Sequence, residues 1–453
     1  MRRLAISLFP LSLLAASLQI AHGCSSAPET NTAPETTTSS STTTSTETDE
    51  EETADGLDEG DADAGTPEDD GGTVAPIPSK IRYVFVIVKE NHTFDNLFTD
   101  FPGAESSKTA KKSTGQVITR PKAPAGVLPD SPCHSNSCGK KAYRDGTMAG
   151  FDTIGAGDVP FYRFTKAQLP NYWRYAESFV LADHLFQTTL GPSSTGHTVF
   201  WTGKSLSIEN AKCNADSCAG YGCSATDTTI RSYDPETCET AVVKPCFDVP
   251  SLPDHLPEGF TWRNYGRPIA NMVKTLAEAP HHGAHFRKQS DLLDDLAAGK
   301  LANLTILHVT GDVSEHPPKA MCPGENFTVG VVNALMAMPQ WSEMAIAITW
   351  DDWGGFYDHV APLIKHCDNG EIFQQGFRLP LILLSPYAKK GFVLQTPAEQ
   401  ASVPRMIEDL WGMSYMTERD PNARDGLAYN LLDAFDFDQA PREPLLLEKR
   451  DCP

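Results

Sequence analysis

The sequence is poor in basic residues and, beyond its first segment, has no long apolar run. It contains 37 Lys and Arg against 59 Asp and Glu, a formal net charge of −22. Such a chain lacks the basic surface that a nucleic-acid partner needs, so none is expected. After residue 18 no run approaches the roughly 20 apolar residues of a membrane-spanning helix. The sequence contains no internal repeat of the kind that a solenoid requires.

The first 23 residues have the pattern of a secretory signal peptide. Arg2 and Arg3 precede an apolar run, residues 4–18, and a small-residue site follows it. Cys24 comes next, before two serines, and this junction is similar to a bacterial lipobox, whose cysteine is lipidated after cleavage. We expect an exported protein. It is either a cell-surface or outer-membrane lipoprotein anchored at Cys24 or, after ordinary cleavage, a secreted protein.

The cysteine count suits disulfides. Of 11 cysteines, setting Cys24 aside leaves ten, an even number expected in an oxidising compartment. The close spacings predict local bonds on loops, one of them within the pair Cys133 and Cys138. The others are expected within the cluster Cys213, Cys218, Cys223, Cys238 and Cys246. A zinc site there is the weaker alternative, because the cluster has no Cys-x-x-Cys pair.

Residues 24–75 have too few apolar side chains to form a hydrophobic core. From residue 27 to 75 the chain has no aromatic residue, no Lys and no Arg, and it holds 15 of the acidic residues. Such a composition predicts a disordered, extended, acidic linker rich in Thr and Ser. The remaining residues, 76–453, are predicted to form one folded domain.

Four apolar runs divide this domain. They are residues 83–88, 304–309, 344–350 and 379–384, each bounded by polar loops. Because they are rich in Ile and Val and apolar at successive positions, they are predicted to be central strands buried on both faces. The expected core is a parallel or mostly parallel sheet.

Helix-like stretches alternate with these runs, for example at residues 290–301 and 404–413. Alternating strands and helices indicate an α/β sandwich. The segment 204–258, rich in Cys, Asp, Ser, Thr and Pro, interrupts the alternation. We interpret it as a disulfide-tied insertion over one face.

Acidic and amide side chains follow two of the predicted strands. Glu90 and Asn91 come after the first strand, and Asp351 and Asp352 follow the third. Ligands of open α/β sheets bind at the carboxyl ends of strands, and buried adjacent acids need a compensating charge. A hard divalent cation, with its preference for oxygen ligands, meets that need. The alternative is that Asp351 and Asp352 only cap a turn.

A Gly-Pro turn precedes hydroxyl residues at the predicted start of a helix, at Ser193, Ser194 and Thr195. Unpaired amides and the positive dipole end at a helix N-terminus suit a phosphate group. A serine in this position can act as a nucleophile beside a metal. Simple N-capping is the alternative function of these hydroxyls.

Six ordered blocks make the chain resemble the bacterial phospholipase C and acid phosphatase family of the alkaline phosphatase superfamily. The first, residues 90–98, is similar to the family signature Glu-Asn-Arg/His-Ser/Thr-Phe-Asp. The others are residues 132–151, 191–193, 315–318, 350–360 and 385–388, among them Gly-Pro-Ser, Glu-His-Pro-Pro and Phe-Tyr-Asp-His. The similarity spans residues 82–412. It implies a three-layer alkaline phosphatase-like sandwich and a phosphoesterase catalytic domain at 76–453.

The resemblance also implies roles for eight residues. Ser193 would be both nucleophile and metal ligand; the other metal ligands would be Glu90, Asn91, Asp351 and Asp352. His134 and His316 would surround the phosphate, and His359 belongs to the Phe-Tyr-Asp-His block. Either His316 or His359 would protonate the leaving oxygen. Because the turn continues Ser-Thr-Gly-His where many relatives have x-Pro-Asn-Arg or x-Pro-Asn-His, Ser193 and Ser194 both stay open as the nucleophile.

These inferences predict a metal-dependent phosphoric-ester hydrolase that forms a phosphoseryl intermediate, with calcium, magnesium, manganese or zinc as cofactor. The short C-terminal part favours a broad acid phosphatase acting on phosphate esters. The alternatives are a phospholipase C that cleaves phospholipid head groups and a surface lipoprotein that binds without turnover. The sequence leaves the oligomeric state open.

Overall fold

The computed structural model describes residues 79–213, 220–278, 285–367 and 372–453. The predicted signal peptide (1–23), Cys24 and the acidic linker (24–75) lie outside the described residues. Among the residues described, no helix is long and apolar enough to cross a membrane.

Strands and helices alternate through much of the described chain. The strands are β1 (Tyr83–Lys89), β2 (Thr109–Lys111), β3 (Val117–Thr119), β4 (Val180–Phe186), β5 (Lys212–Cys213), β6 (Thr228–Tyr233), β7 (Thr240–Val243), β8 (Trp262–Gly266), β9 (Phe286–Arg287), β10 (Leu304–His308), β11 (Met344–Trp350), β12 (Lys365–His366), β13 (Ile372–Gln374), β14 (Arg378–Leu384), β15 (Phe392–Leu394) and β16 (Ala398–Glu399). The helices are α1 (Phe94–Leu97), α2 (Asn136–Tyr143), α3 (Pro170–Ser178), α4 (Ser193–Thr202), α5 (Lys274–Ala277), α6 (Leu292–Ala297), α7 (Met321–Met336) and α8 (Ser402–Trp411).

A nine-stranded sheet forms the centre, in the order β15-β4-β14-β11-β1-β10-β8-β9, with β16 beside β4. Strand β1 pairs in parallel with both β10 and β11, and β8 continues the parallel part beside β10. Only β14 runs antiparallel to its neighbours β11 and β4. The four predicted strands are therefore confirmed, as is the mostly parallel sheet.

Helices cover both faces of this sheet. Lys89 and Trp350 are register partners and share one face, where Tyr172 of α3 packs edge-on against Trp350. His308 lies one position earlier in the register, on the opposite face, and there Trp201 of α4 donates a hydrogen bond to it. The predicted three-layer sandwich is confirmed, and the double coverage explains why β1, β10 and β11 are apolar at successive positions.

Two predicted helices differ in their bounds from what their patterns suggested. The stretch 290–301 is α-helical only as α6 (Leu292–Ala297), which follows a 3-10 turn at Gln289–Asp291 and precedes the left-handed Gly299. The stretch 404–413 is displaced to α8 (Ser402–Trp411), which ends where Gly412 adopts positive φ, a common helix C-terminus. The helix start predicted at Ser193 is confirmed.

The insertion predicted at residues 204–258 contains the small antiparallel sheet β5-β6-β7. Cys223 and Cys246 form a bond within it, and the predicted bond Cys133–Cys138 is also present. The prediction of a local partner is wrong for Cys238, because it pairs with Cys367, 129 residues away in the sequence. The insertion is thereby tied to the segment after β11, and such bonds agree with an exported protein.

The C-terminal segment lies extended along α7. Asn333 exchanges two side-chain hydrogen bonds with the backbone of Leu447, and Asn326 does the same with Arg450. A disulfide between Cys322 and Cys452 closes the contact, across 130 residues. The backbone of this segment is thus hydrogen-bonded by asparagine side chains of α7 and not by a neighbouring strand.

Candidate active site

The predicted acidic residues meet at the carboxyl ends of β1 and β11. Because Lys89 and Trp350 face α3, strand alternation returns the next residues, Glu90 and Asp351, to the α4 face. The pairing of β1 with β11 continues one residue beyond β11, because the Asp351 N–H donates to the Lys89 carbonyl. Glu90 is 3% exposed and Asp351 is fully buried.

Asn91 links the two strand ends. It adopts positive φ (69°), a conformation that Asn tolerates better than most residues. In that turn its backbone N–H donates to Asp351 Oδ1 at 3.0 Å, and its side-chain amide donates to both Asp352 oxygens at 3.1 Å. The left-handed turn therefore brings Asn91 against both aspartates, as the resemblance implied.

Helix α4 delivers Ser193 to these acids. Ser193 is its first residue, and its Oγ donates to Asp352 Oδ2 at 3.2 Å. The helix approaches closely because residue 196 is glycine: a Cβ there would lie 1.8 Å from the carbonyl oxygen of Asp351. Gly196, the departure from the usual family turn, is thus what allows α4 to touch the end of β11.

Ser194 points elsewhere. Its backbone N–H donates to Asn210 Oδ1 at 2.9 Å, and its side chain lowers the pKa of the Tyr221 phenol, against burial, which raises it. Both partners belong to the insertion. Of the two serines, Ser193 is the one that the structure places beside the acids.

His197 is a site residue that the sequence analysis did not identify. It lies one helical turn after Ser193, with Nε2 3.3 Å from Asp351 Oδ2 and 3.8 Å from Glu90 Oε1. Its Nδ1 lies 3.0 Å from Nδ1 of the buried His308. The signal was available, because residues four apart share a helix face.

Arg267 is the second such residue. It follows β8, and its Nη2 donates to Glu90 Oε1 at 2.7 Å. Burial raises the pKa of Glu90, but the contact with His197 and the charge of Arg267 outweigh burial and lower this pKa to about 2. Glu90 is therefore ionised throughout the physiological range.

The aspartates are in the opposite electrostatic situation. Burial and the adjacent Asp352 carboxylate raise the pKa of Asp351 to about 8. Burial likewise raises the pKa of Asp352 to about 8, against the hydrogen bonds from Gly354 and Ser193. The charge of His197 opposes the shift at Asp351 but does not outweigh it, so both buried carboxyl groups favour protonation until a further positive charge arrives.

The donor set fits a divalent cation. Within the described part of the chain, Asn91 Oδ1 is a buried polar atom without a hydrogen-bond partner, and Asp351 Oδ2 and His197 Nε2 have none besides their mutual contact at 3.3 Å. Buried polar atoms normally have partners, and hard cations bind carboxylate and amide oxygens. These orphaned atoms and the raised aspartate pKa values are what a site built for a bound cation would show.

His134 and His316 lie together, with ring centroids 5.6 Å apart. In each ring Nδ1 contacts a backbone carbonyl oxygen, that of Pro132 for His134 and that of Pro317 for His316. Burial lowers the pKa of both imidazoles, while the charge of Glu90 opposes the shift. Because Nδ1 of each imidazole is hydrogen-bonded to the backbone, Nε2 is the ring nitrogen that can contact a substrate.

A buried ion pair supports this arrangement from behind. Lys89 Nζ lies 3.2 Å from Glu315 Oε1, and neither side chain is exposed. Tyr172 and Trp350 also donate to the Glu315 carboxylate. Because these two charged residues immediately precede Glu90 and His316, their contact holds the backbone of Glu90 close to that of His316.

The structure does not bring His359 to these residues. Its Nδ1 lies 2.7 Å from Asp95 Oδ2, and its Nε2 is 3.3 Å from Glu105. Asp95, Asp358 and His359 are close enough to offer three ligand atoms to a metal. However, the buried Arg378 already pairs with both aspartates, so this group is a charge-balanced ion-pair network.

Comparison with known proteins finds one family model and several relatives that match most of the folded chain. The model of the Phosphoesterase family matches residues 81–414. Non-specific phospholipase C1 of Arabidopsis thaliana is 23% identical over 401 residues, covering 76% of this chain and 70% of the relative. Non-hemolytic phospholipase C of Pseudomonas aeruginosa is 23% identical over 427 residues, covering 80% of this chain and 58% of the relative. The crystal structure of Ps i-CgsB has a TM-score of 0.36 at 12% identity, covering 78% and 76%.

Proposed function

The chain belongs to the phosphoesterase family, and from that membership we propose a phosphoester hydrolase in which Ser193 is the nucleophile and a divalent cation is the cofactor. The observation that supports this most directly is the 3.2 Å hydrogen bond from Ser193 Oγ to Asp352 at the end of β11. It joins a hydroxyl at a helix N-terminus to a buried acidic cluster. We propose a broad phosphatase as the activity.

In the proposed reaction Ser193 Oγ attacks phosphorus. An Oγ–P bond forms, the bond from phosphorus to the leaving alcohol breaks, and the serine proton leaves along the hydrogen bond to Asp352 Oδ2. Water then cleaves the phosphoserine, which releases phosphate and restores the hydroxyl. The backbone amides at the start of α4 face the charge that develops on the phosphate.

The cation would be held by Glu90, Asn91, Asp351 and Asp352 together with Ser193. Calcium, magnesium, manganese and zinc all accept such ligands. When bound, the cation supplies positive charge that favours the serine alkoxide and offsets charge on the phosphate. The three chain segments that carry these side chains, after β1, after β11 and at the start of α4, are held together through the contacts of Asn91 and Gly196.

His134 and His316 are proposed to contact the phosphate oxygens. His316 is the better donor of the proton to the leaving oxygen, because its backbone neighbour Glu315 is anchored to Lys89 and its ring packs edge-on against His134. His359, the other residue of this predicted pair, is held by Asp95 in a separate network. Burial lowers the pKa of His316, but the negative charge of a bound phosphate favours the protonated imidazole, the form that can donate such a proton.

Phospholipase C activity is the second candidate. It is favoured by the relatives, which bear that name in Arabidopsis thaliana, Pseudomonas aeruginosa and Mycobacterium tuberculosis. Hydrolysis of p-nitrophenyl phosphate and of p-nitrophenylphosphorylcholine distinguishes the two activities. Preference for the monoester supports the phosphatase, and preference for the choline diester supports the phospholipase.

The same assay tests the cofactor and the intermediate. Chelation should abolish turnover, and each of the four metals is then added back separately. Acid quenching during turnover should trap a phosphoryl group on the peptide that contains Ser193, detected by mass spectrometry. Turnover that survives exhaustive chelation, or a quenched enzyme without phosphoserine, contradicts the proposal. Bound metal without any turnover would support a binding lipoprotein.

We also propose that a lipid on Cys24 anchors the exported protein. Replacing Cys24 with Ser should release it from the membrane fraction, whereas an ordinary secreted protein would fractionate unchanged.

A further inference from the structure

A large cavity lies beside the proposed nucleophile. It has a volume of about 910 Å³, and His134 and Pro192, the residue before Ser193, form part of its wall. Asn210, which accepts the hydrogen bond from the Ser194 N–H, also lines it. A phosphate held at Ser193 would therefore direct an attached organic group toward this space.

The charged side chains of its wall are mostly cationic. Among the described residues of the wall, Lys140, Lys212 and Arg231 are cationic and Glu209 is acidic. Glu209 is already engaged on both oxygens, by Lys212 at 2.6 Å and by Arg231 at 2.9 Å. Its carboxylate is thus neutralised by two cations and leaves an excess of positive charge.

Two further features of the cavity wall favour a negatively charged ligand over a cationic one. Ser135, the N-cap of α2, and its first residues Asn136 and Ser137 line the cavity, and the N-terminal end of a helix attracts negative charge. Among the described residues that form the wall, none is Phe, Tyr or Trp. A quaternary ammonium group is normally recognised by aromatic faces, and here it would find neither those nor an unpaired carboxylate.

We propose that this cavity binds the organic part of the substrate and selects phosphoesters with an anionic or hydroxyl-rich group over those of choline. This inference rests on the proposed function and names its substrate class. The segment 208–212 sets the selection, because it supplies Glu209 and Lys212 and is fastened to the first turn of α4 through Asn210.

Phosphoglycolate and phosphocholine provide a matched test, since both are short monoesters and differ in the charge of the organic group; glycerol phosphate adds a neutral, hydroxyl-rich compound. In the full-length, metal-loaded protein, kcat/KM should favour phosphoglycolate over phosphocholine by about tenfold or more. Glycerol phosphate should fall between them.

Two variants should shift this ratio in opposite directions. The double variant Lys212→Gln/Arg231→Gln leaves Glu209 unpaired and should lower the ratio about tenfold, whereas Glu209→Gln should raise it. Lys166→Gln is the control: it removes a cation paired with Glu177 outside the cavity wall, and the ratio should stay unchanged. Glu209→Gln nearly preserves side-chain shape, so it serves if the double variant does not fold.

Wild-type preference for phosphocholine, or an unchanged ratio in Glu209→Gln, would overturn the inference. If the wild type hydrolyses no monoester, the proposed function fails separately. In that case calorimetric binding of the same compounds to Ser193→Ala still decides the inference. Tighter binding of phosphoglycolate supports it, and equal or weaker binding refutes it.

Discussion

Lys89 and Glu315 form an ion pair that is completely buried beneath the site, with 3.2 Å between Nζ and Oε1. Burial lowers the pKa of Lys89 and raises that of Glu315, while the partner's charge opposes each shift. The carbonyls of Val313 and Gly324 also accept from Lys89. The pair is thus satisfied on both sides, and losing one member leaves the other charge without compensation.

We expect Lys89→Met to lower the free energy of unfolding by about 3–5 kcal/mol, because it leaves a buried carboxyl group unpaired. Urea denaturation measures this change. Adding Glu315→Gln should recover part of the loss, as a double-mutant cycle would show. The control Lys166→Met breaks an exposed pair and should cost less than about 1 kcal/mol; an equal cost for Lys89→Met would contradict the argument.

Ser193→Ala should reduce kcat/KM for p-nitrophenyl phosphate about 1,000-fold or more, because it removes the attacking oxygen. Ser194→Ala is the matched control and should reduce it less than about tenfold, since Ser194 contacts Asn210 of the insertion through its backbone N–H, which the substitution keeps. The reverse order of the two effects would assign the nucleophile to Ser194. Circular dichroism of both variants checks that they fold.

The metal-free protein should lose stability as the pH rises. The pKa of Asp351 is about 8 in the folded protein against an ordinary value of 3.8, so between these values the folded state binds more protons than the unfolded state. Stability then falls with rising pH. Thermal unfolding after chelation, at about pH 5 and about pH 8, should show the fall, and Asp351→Asn should reduce it by about 2 kcal/mol.

Asp312→Asn is the control for that experiment, because this side chain is 99% exposed. It should leave the difference between the two pH values unchanged. Restoring the metal should raise the melting temperature of the wild type mainly at the higher pH. A wild type with equal stability at both pH values would show that the buried aspartates do not control it.

His359→Gln should destabilise the protein in acid more than in base. Burial lowers the pKa of His359, but the hydrogen bond and charge of Asp95 outweigh burial and raise it above the ordinary value. The stabilisation is therefore complete below about pH 6.5 and disappears as the pH rises through the folded-state pKa. We expect a loss of about 1 kcal/mol near pH 6 and little near pH 9.

His255→Gln provides the comparison. Burial lowers the pKa of His255, so its replacement should produce no loss of stability confined to acid. If His359→Gln instead abolishes turnover while its unfolding profile matches the wild type, His359 acts in the chemistry rather than in the Asp95 network.

The sequence predicted the part of the site that strand ends determine. Glu90 and Asp351 could be paired because continuous apolar runs identify β1 and β11, and parallel neighbours end at the same edge. Arg267 could not be found this way, because its contact depends on the sheet order that places β8 two strands from β1. His197 was missed for a different reason: helical periodicity was available but was not extended from Ser193.

The disulfides show the same limit. The bond Cys133–Cys138 could be predicted, because five residues of separation make the contact local. Cys238 has local candidates too, but its partner Cys367 becomes adjacent only when the insertion folds over the segment after β11. The spacing of cysteines in the sequence therefore predicts disulfides between near neighbours. It gives no information about disulfides whose cysteines are brought together by the tertiary structure.

The bond Cys322–Cys452 has a consequence for biogenesis. Its ring contains β11, β14 and α8, and therefore both Asp351 and Asp352. A chain threaded through a membrane from its N-terminus delivers Cys322 well before Cys452, so this ring cannot close until the aspartates have emerged. Oxidation of the pair is then a marker that the acidic half of the site has reached the outer compartment, and a thiol-trapping time course would follow its arrival.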